Sequence, residues 1–196
     1  MELWNYPLTY YCEPGREPFC SITALPREKA LLKAAELAPT TRSPKNRFCA
    51  ADFPGYYEKR LRTEEWLYGA FLAKGGEAET RRLLYFVLGE SVFLHEWFGR
   101  GTVYTFDLRD VPLRALSFTL GDSMSVVDRR DRAVLTADEL SACLAGCGLE
   151  TLRQKQGIHY VEAQLWTAHP PEPRRVSPED TRLPHGGAVL GSKLFQ

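Results

Sequence analysis

Three stretches of the chain combine residue types that could do chemistry. The first covers 158–166 and reads Ile158-His159-Tyr160-Val161-Glu162-Ala163-Gln164-Leu165-Trp166. Successive side chains of an extended segment point to opposite faces. Val161, Ala163 and Leu165 then join His159 on a core-like face, while Ile158, Tyr160, Glu162, Gln164 and Trp166 take the other. Neighbours on one face stand about 6.5–7 Å apart. The second face presents a carboxylate flanked by a phenol and an amide, with an indole beyond. Aromatic surroundings disfavour the ionised carboxylate and raise its pKa. Such a group can accept hydrogen bonds from sugar hydroxyls or steady a developing cation. Glu162, Tyr160 and Gln164 are the catalytic candidates, and a solvated polar face is the simpler alternative.

The second stretch is Ser117-Phe118-Thr119-Leu120-Gly121-Asp122-Ser123-Met124, a strand pattern running into Gly-Asp-Ser. Ser123 is a candidate nucleophile there, with Gly121 contributing to an oxyanion hole. The simpler alternative is a turn with Gly121 at positive φ and Asp122 or Ser123 bonding its own backbone. The third stretch, 46–60, is dense in aromatics, with Arg47, Lys59, Arg60 and Arg62 close by. Arginine beside tyrosine suits phosphate and ring recognition, and it equally suits a loop packed under aromatic lids. A polar loop over 40–47 holds Arg42, Lys45 and Arg47 without an acid; it is either solvated or phosphate-binding. Arg81-Arg82 and 128–132 read as solvated charge runs.

These residues need elements to position them. Residues 8–12, 83–88, 103–108, 115–120 and 158–166 have the apolar, β-branched and aromatic bias of strands, several ending at glycine. Helical spacing runs through 27–37, after Pro26 and before Pro39. A second helix is expected over 64–74, with Thr63 as N-cap, Glu64 and Glu65 in the first turn and Gly75-Gly76 as the stop. Ser91 caps a short helix burying Phe93, Leu94, Trp97 and Phe98. Thr136 and Glu139 form a capping box that opens a helix to Ala145. The order lacks strict strand–helix–strand alternation. The expected fold is α+β, one domain over 1–169 with a mixed or mostly antiparallel sheet and four or five helices. Residues 170–196, rich in proline, form an irregular tail held by Val189, Leu190, Leu194 and Phe195.

Composition sets the outer bounds. The 196 residues carry 25 Lys plus Arg and 25 Asp plus Glu, for a formal net charge of +0, and 44% of them are hydrophobic. That balance does not indicate nucleic-acid binding through overall charge. No apolar run has the length of a membrane span, and no secretory signal is visible at the start, so a cytoplasmic location is expected. Five cysteines at irregular spacing make a poor disulfide framework. Cys143 and Cys147 share a helix face but lack further ligands for zinc, and they read as packing residues with no metal site. A homo-oligomer is possible.

Three resemblances add to this reading. The strings Arg47-Phe48, Asp52-Phe53, Tyr56-Tyr57, Tyr85-Phe86-Val87-Leu88-Gly89, Ser117-Phe118-Thr119-x-Gly121-Asp122-Ser123 and His159-Tyr160-x-Glu162-x-Gln164-Leu165-Trp166 resemble a group of small bacterial proteins of unknown function. That likeness covers most of the chain and brings no activity with it. The Gly121-Asp122-Ser123 block resembles the nucleophile block of Gly-Asp-Ser-Leu esterases, with Met124 in place of Leu and without the Asp-x-x-His partner block. The third, at the level of fold, is to ADP-ribosyltransferases of the DNA-modifying toxin branch. It implies NAD as cofactor, Tyr10 and Tyr11 on the NAD-binding strand, Phe118 to Asp122 on the strand-then-loop block and Glu162 as the catalytic acid. The histidine common on that family's first strand is absent from Thr9-Tyr10-Tyr11-Cys12. Glu162 would then stabilise oxocarbenium character on the ribose; Asp122 from the strand-then-loop block, and Arg47, Tyr56 and Arg60 from the aromatic stretch, are further cofactor-contact candidates. Three expectations follow: an NAD-using transferase centred on Glu162, a non-catalytic protein that binds a ligand or partner, and a hydrolase using Ser123.

Overall fold

In this computed structural model, residues 2–42 and 47–176 are described. The apolar runs become strands β1 (Leu8–Cys12), β2 (Leu84–Leu88), β3 (Thr102–Phe106), β4 (Leu116–Leu120), β5 (Leu135–Thr136), β6 (Val161–Leu165) and β7 (Arg174–Val176). They form one sheet in the order β5-β4-β6-β2-β1-β3-β7, and every pairing is antiparallel. The helices are α1 (Arg27–Leu37), α2 (Phe53–Ala73), α3 (Val92–Trp97), the single turn α4 (Ser123–Val126), α5 (Ala137–Ala145) and α6 (Gly148–Gln156). The fold is α+β, as expected, with the sheet antiparallel throughout. Among the described residues no helix is long and apolar enough to cross a membrane.

Register divides the sheet into two unlike faces, because directly opposed residues point the same way. One face is apolar. Leu8, Phe86, Leu88, Phe106, Leu116, Phe118, Val161, Ala163 and Leu165 pack there against Leu140 and Leu144 of α5 and Leu149 and Leu152 of α6. The other face is mostly polar across its middle strands. Glu162 of β6 stands opposite Thr119 of β4 and Val87 of β2, and Gln164 stands opposite Ser117 and Tyr85.

Helix α2 covers that polar face. Its stripe of Arg60, Glu64, Leu67 and Phe71 follows the spacing of one helix side. Leu67 and Phe71 pack with Leu83, Val134 and Trp166, and the Phe71 and Trp166 rings stack at 6.0 Å. The N-terminal part of α2 packs through Phe53 and Tyr57 against Ala30 and Ala34 of α1. Helix α3 covers the next part of the face, with Leu94 against Tyr11, Val87 and Val103.

Several expectations are corrected. Helix α2 begins at Phe53, not after Thr63. Pro54 sits in its first turn, where a missing N–H costs nothing, so the aromatic stretch expected as a loop is helical from residue 53. Thr63 lies inside the helix and donates its Oγ1 hydrogen to the carbonyl of Lys59 at 2.9 Å. The stop at Gly75, with φ +80°, holds. Helix α6 has no counterpart in the sequence reading. Strand β7 lies inside the stretch expected to be irregular, paired with β3; the anchors Val189 to Phe195 fall outside the described residues. Cys143 is exposed rather than packed, and Cys147 is half-buried. The cap on Ser91 and the capping box at Thr136 and Glu139 form as read.

Leu67 is fully buried where α2 meets the sheet. Leu67→Ala leaves a cavity there, and the expected cost is about 2–5 kcal/mol. Urea unfolding measures it, and a loss below about 1 kcal/mol would mean that α2 is not anchored at this point.

Candidate functional site

The polar layer between α2 and the sheet is built around Glu162. Its residue is 6% exposed. A directed chain of hydrogen bonds leads to it along the sheet. Trp166 Nε1 donates to Ser117 Oγ at 2.9 Å, and Ser117 Oγ donates to Gln164 Oε1 at 2.7 Å. Gln164 Nε2 then donates to Thr119 Oγ1 at 3.2 Å and to Glu162 Oε1 at 3.0 Å. Thr119 spends its own hydrogen on the Gly121 carbonyl at 2.9 Å. With Ser117 donating to one end of the Gln164 amide and two acceptors at the other, the amide has one orientation. That orientation fixes an N–H toward Glu162.

From above, α2 supplies Arg60. Its guanidinium lies 3.5 Å from the centroid of the Tyr85 ring and its Nε lies 3.5 Å from Glu64 Oε1. Glu64 Oε1 also accepts from Thr23 Oγ1 at 2.9 Å and from the Tyr85 hydroxyl at 3.4 Å. Arg60 makes no ion pair with Glu162 and acts on it through its field. Burial works against the Arg60 cation, but Tyr85, Tyr56, Glu162 and Glu64 outweigh it, and its pKa rises. Burial also pushes up the phenols of Tyr85 and Tyr160, so both are neutral near pH 7.

The loop after β4 completes the layer. Gly121, at φ +94°, makes the turn. Asp122 caps α4, accepting from the Met124 N–H at 3.0 Å. This is the turn that the sequence offered as the simpler alternative for Gly-Asp-Ser. Ser123 is fully buried; its hydroxyl favours the charged form of Glu162 but meets no partner with hydrogen-bond geometry. Burial first and the nearby Asp122 second raise the Glu162 pKa from 4.5 to about 7, against the opposing pull of Arg60, Ser123 and Gln164.

The structure thus brings Glu162, Gln164, Tyr160, Arg60, Tyr56, Asp122 and Ser123 into one electrostatic neighbourhood. It separates others. Tyr10 faces the apolar side of the sheet, against Phe19, Phe86 and Tyr104. Tyr11 faces the polar side, where its hydroxyl accepts from the Ser91 N–H at 2.7 Å. Arg47 lies over the rings of Phe48 and Phe98. Residues 158–160 precede the strand, so the expected alternation breaks there. His159 is exposed and stacks on Phe93 at 4.3 Å, and Ile158 joins the apolar cluster instead of the Glu162 face.

Two of the surface hollows among the described residues bear on the site. One of about 390 Å³ lies along the side of α2, lined by Glu64 and Arg82 among others. The second, of about 220 Å³, lies between Trp4 and Arg174. Neither is lined by Glu162 or by any of the six cofactor-contact candidates, Tyr10, Tyr11, Arg47, Tyr56, Arg60 and Asp122. With Tyr10 and Glu162 on opposite faces of the sheet, this set does not fit one bound dinucleotide. Among the described residues no group of three or more His, Cys, Asp or Glu side chains could hold a metal ion.

What the sequence missed is the partner set of Glu162. Arg60 is named by the sequence only as a ring- or cofactor-binding candidate, and nothing along the chain places it over Glu162.

The raised pKa has a stability consequence. Between pH 4.5 and about 7 the folded chain holds a proton on Glu162 that the unfolded chain has released. Stability therefore falls as pH rises through that window, by up to roughly 3 kcal/mol at about 1.4 kcal/mol per pKa unit. Glu64, also raised by burial, adds the same sign. Glu162→Gln keeps the neutral shape, so its loss of stability from pH 5 to pH 8 is expected to be shallower than that of the parent. Equal slopes in urea unfolding at the two pH values would show that Glu162 is not held neutral by the fold.

Comparison with protein-family models, with curated proteins and with solved structures finds no match.

Proposed function

We propose that this chain is a ligand-binding protein that works without catalytic turnover. The observation that carries this reading is the seat of Glu162. Its carboxyl is enclosed between α2 and the sheet, takes its hydrogen bond from Gln164, and lines neither hollow. A general acid, base or electrostatic stabiliser must come within hydrogen-bond reach of the reacting atoms. Glu162 instead serves α2, as the sheet-side carboxyl of a layer whose helix side is Arg60 and Glu64. Ligand contact falls to the larger of the two hollows, an open concavity of about 390 Å³ beside α2.

An NAD-using transferase is the rival reading, and one observation favours it: a carboxyl whose pKa is raised to about 7 beside Asp122 and the buried Ser123 hydroxyl. Perturbed acids of this kind cluster at reaction centres. The two readings part on incubation with millimolar NAD. A ligand at about 100 times its Kd adds about 2.7 kcal/mol to stability. The binding reading expects NAD to leave the melting temperature unchanged and to release no nicotinamide. Nicotinamide release that disappears in Glu162→Gln would overturn it and establish the transferase.

A further inference from the structure

The larger hollow has a composition of its own. One wall is α2, where Arg62, Glu64, Glu65 and Tyr68 follow helical spacing; the other is Arg81-Arg82, just before β2. Three guanidinium groups therefore meet two carboxylates around a concave space of about 390 Å³. The charges are not all matched. Arg81 lies 4.8 Å from the Tyr68 ring centroid and 3.5 Å from Glu65 Oε2. Both partners of that ion pair are about two-thirds exposed, so it is easily exchanged for a ligand. Among the described residues Arg62 and Arg82 form no ion pair within 4.0 Å. Glu64 is 4% exposed and is tied inward to Thr23, Tyr85 and Arg60; it meets Arg82 through its field and not through a close ion pair.

We propose that this hollow binds a small phosphorylated polyol, such as a sugar phosphate. The inference rests on the binding reading and names the ligand class for it. The planar fork of arginine matches the oxygens of a phosphate and binds them through charge-assisted hydrogen bonds. Arg62 and Arg82 supply two forks held in no close ion pair, each within the field of one carboxylate, Asp128 and Glu64 respectively, and Arg81 a third once it leaves Glu65. The carboxylates decide the rest of the ligand. A ligand anionic at every point would be repelled by Glu65, whereas a hydroxyl can donate to it. Phosphate at the arginines and hydroxyls at Glu65 satisfy both halves. A polymer of phosphates is disfavoured, because nucleic-acid binding draws on an extended basic surface and the chain has a formal net charge of +0.

The test is titration calorimetry of the full chain at low salt with glucose 6-phosphate, and with glucose and inorganic phosphate separately. Glucose 6-phosphate is expected to bind at least about tenfold more tightly than either part, a difference of about 1.4 kcal/mol. The double substitution Arg62→Ser, Arg82→Ser is expected to weaken it about tenfold or more while leaving the melting temperature of the unliganded chain in place, since both side chains are exposed. Absence of glucose 6-phosphate binding, or affinity unchanged in the double variant, overturns the inference. Inorganic phosphate binding as tightly as the sugar phosphate overturns its hydroxyl half. None of these failures touches the binding reading, which falls instead to Glu162-dependent release of nicotinamide.

Discussion

A single guanidinium between two buried carboxyl groups governs how α2 sits on the sheet. Arg60 is 17% exposed and Glu64 is 4% exposed at the side chain, with Glu162 beneath them. Removing such charges from water costs several kcal/mol each unless the remaining lone pairs and protons find partners. The partners are present for most of them: Thr23 and Tyr85 for Glu64, the face of Tyr85 for Arg60, Gln164 for Glu162. The count of charges is still uneven, with one cation for two carboxyls and Asp122 nearby. Burial first, and the neighbouring Asp122 second, make Glu162 the carboxyl that keeps its proton to about pH 7. A neutral Glu162 lowers the cost of the layer; an ionised one restores it.

The hydrogen-bond chain from Trp166 to Glu162 adds direction to that balance. Trp166 and Ser117 each donate once and the Gln164 amide twice, and turning that amide over would set its NH2 against the Ser117 hydroxyl hydrogen and its oxygen against the Glu162 carboxyl. Networks of this kind are costly when partly satisfied and specifying when complete. The completed stretch lies within the sheet, between β4 and β6, where register holds the partners still. The incomplete points lie at its margins. Among the described residues Glu64 Oε2 and Ser123 Oγ, on elements laid over the sheet, and Thr9 Oγ1, on β1 itself, are buried without a partner of hydrogen-bond geometry.

What was legible in the sequence follows the range of the interactions involved. Leu84–Leu88 and Leu116–Leu120 are apolar runs ended by glycine or a turn, and local signals suffice for them. The caps at Ser91 and Thr136 are contacts three residues long, which a local reading captures. The start of α2 was hidden because Pro54-Gly55 looks like a break, although proline fits a first helical turn. Helix α6 carries Glu150, Lys155 and three glutamine or arginine positions, with too few apolar residues for a clear stripe. At the site, alternation placed Glu162, Gln164 and Trp166 on one face correctly, because β6 is regular there. It failed for Ile158 and His159, which lie before the strand. The pairing of Glu162 with Arg60 depends on α2 crossing above β6, and no spacing along the chain encodes that crossing.

The breaches of pattern are not scattered. The apolar face of the sheet obeys the binary rule throughout, with leucine, phenylalanine, valine and alanine meeting the leucines of α5 and α6. On the opposite face, Glu162, Gln164, Thr119 and Ser117 occupy interior positions, and Arg60 and Glu64 stand on the stripe of the covering helix. Departures from local consistency in real proteins concentrate where something other than packing is being served. Here they concentrate in one layer whose outer edge is Glu64, the residue shared by the buried network and the arginine-lined hollow. One side of the sheet can therefore carry stability through burial alone. The other is left to hold charge in a fixed geometry, and it reaches the surface at the hollow.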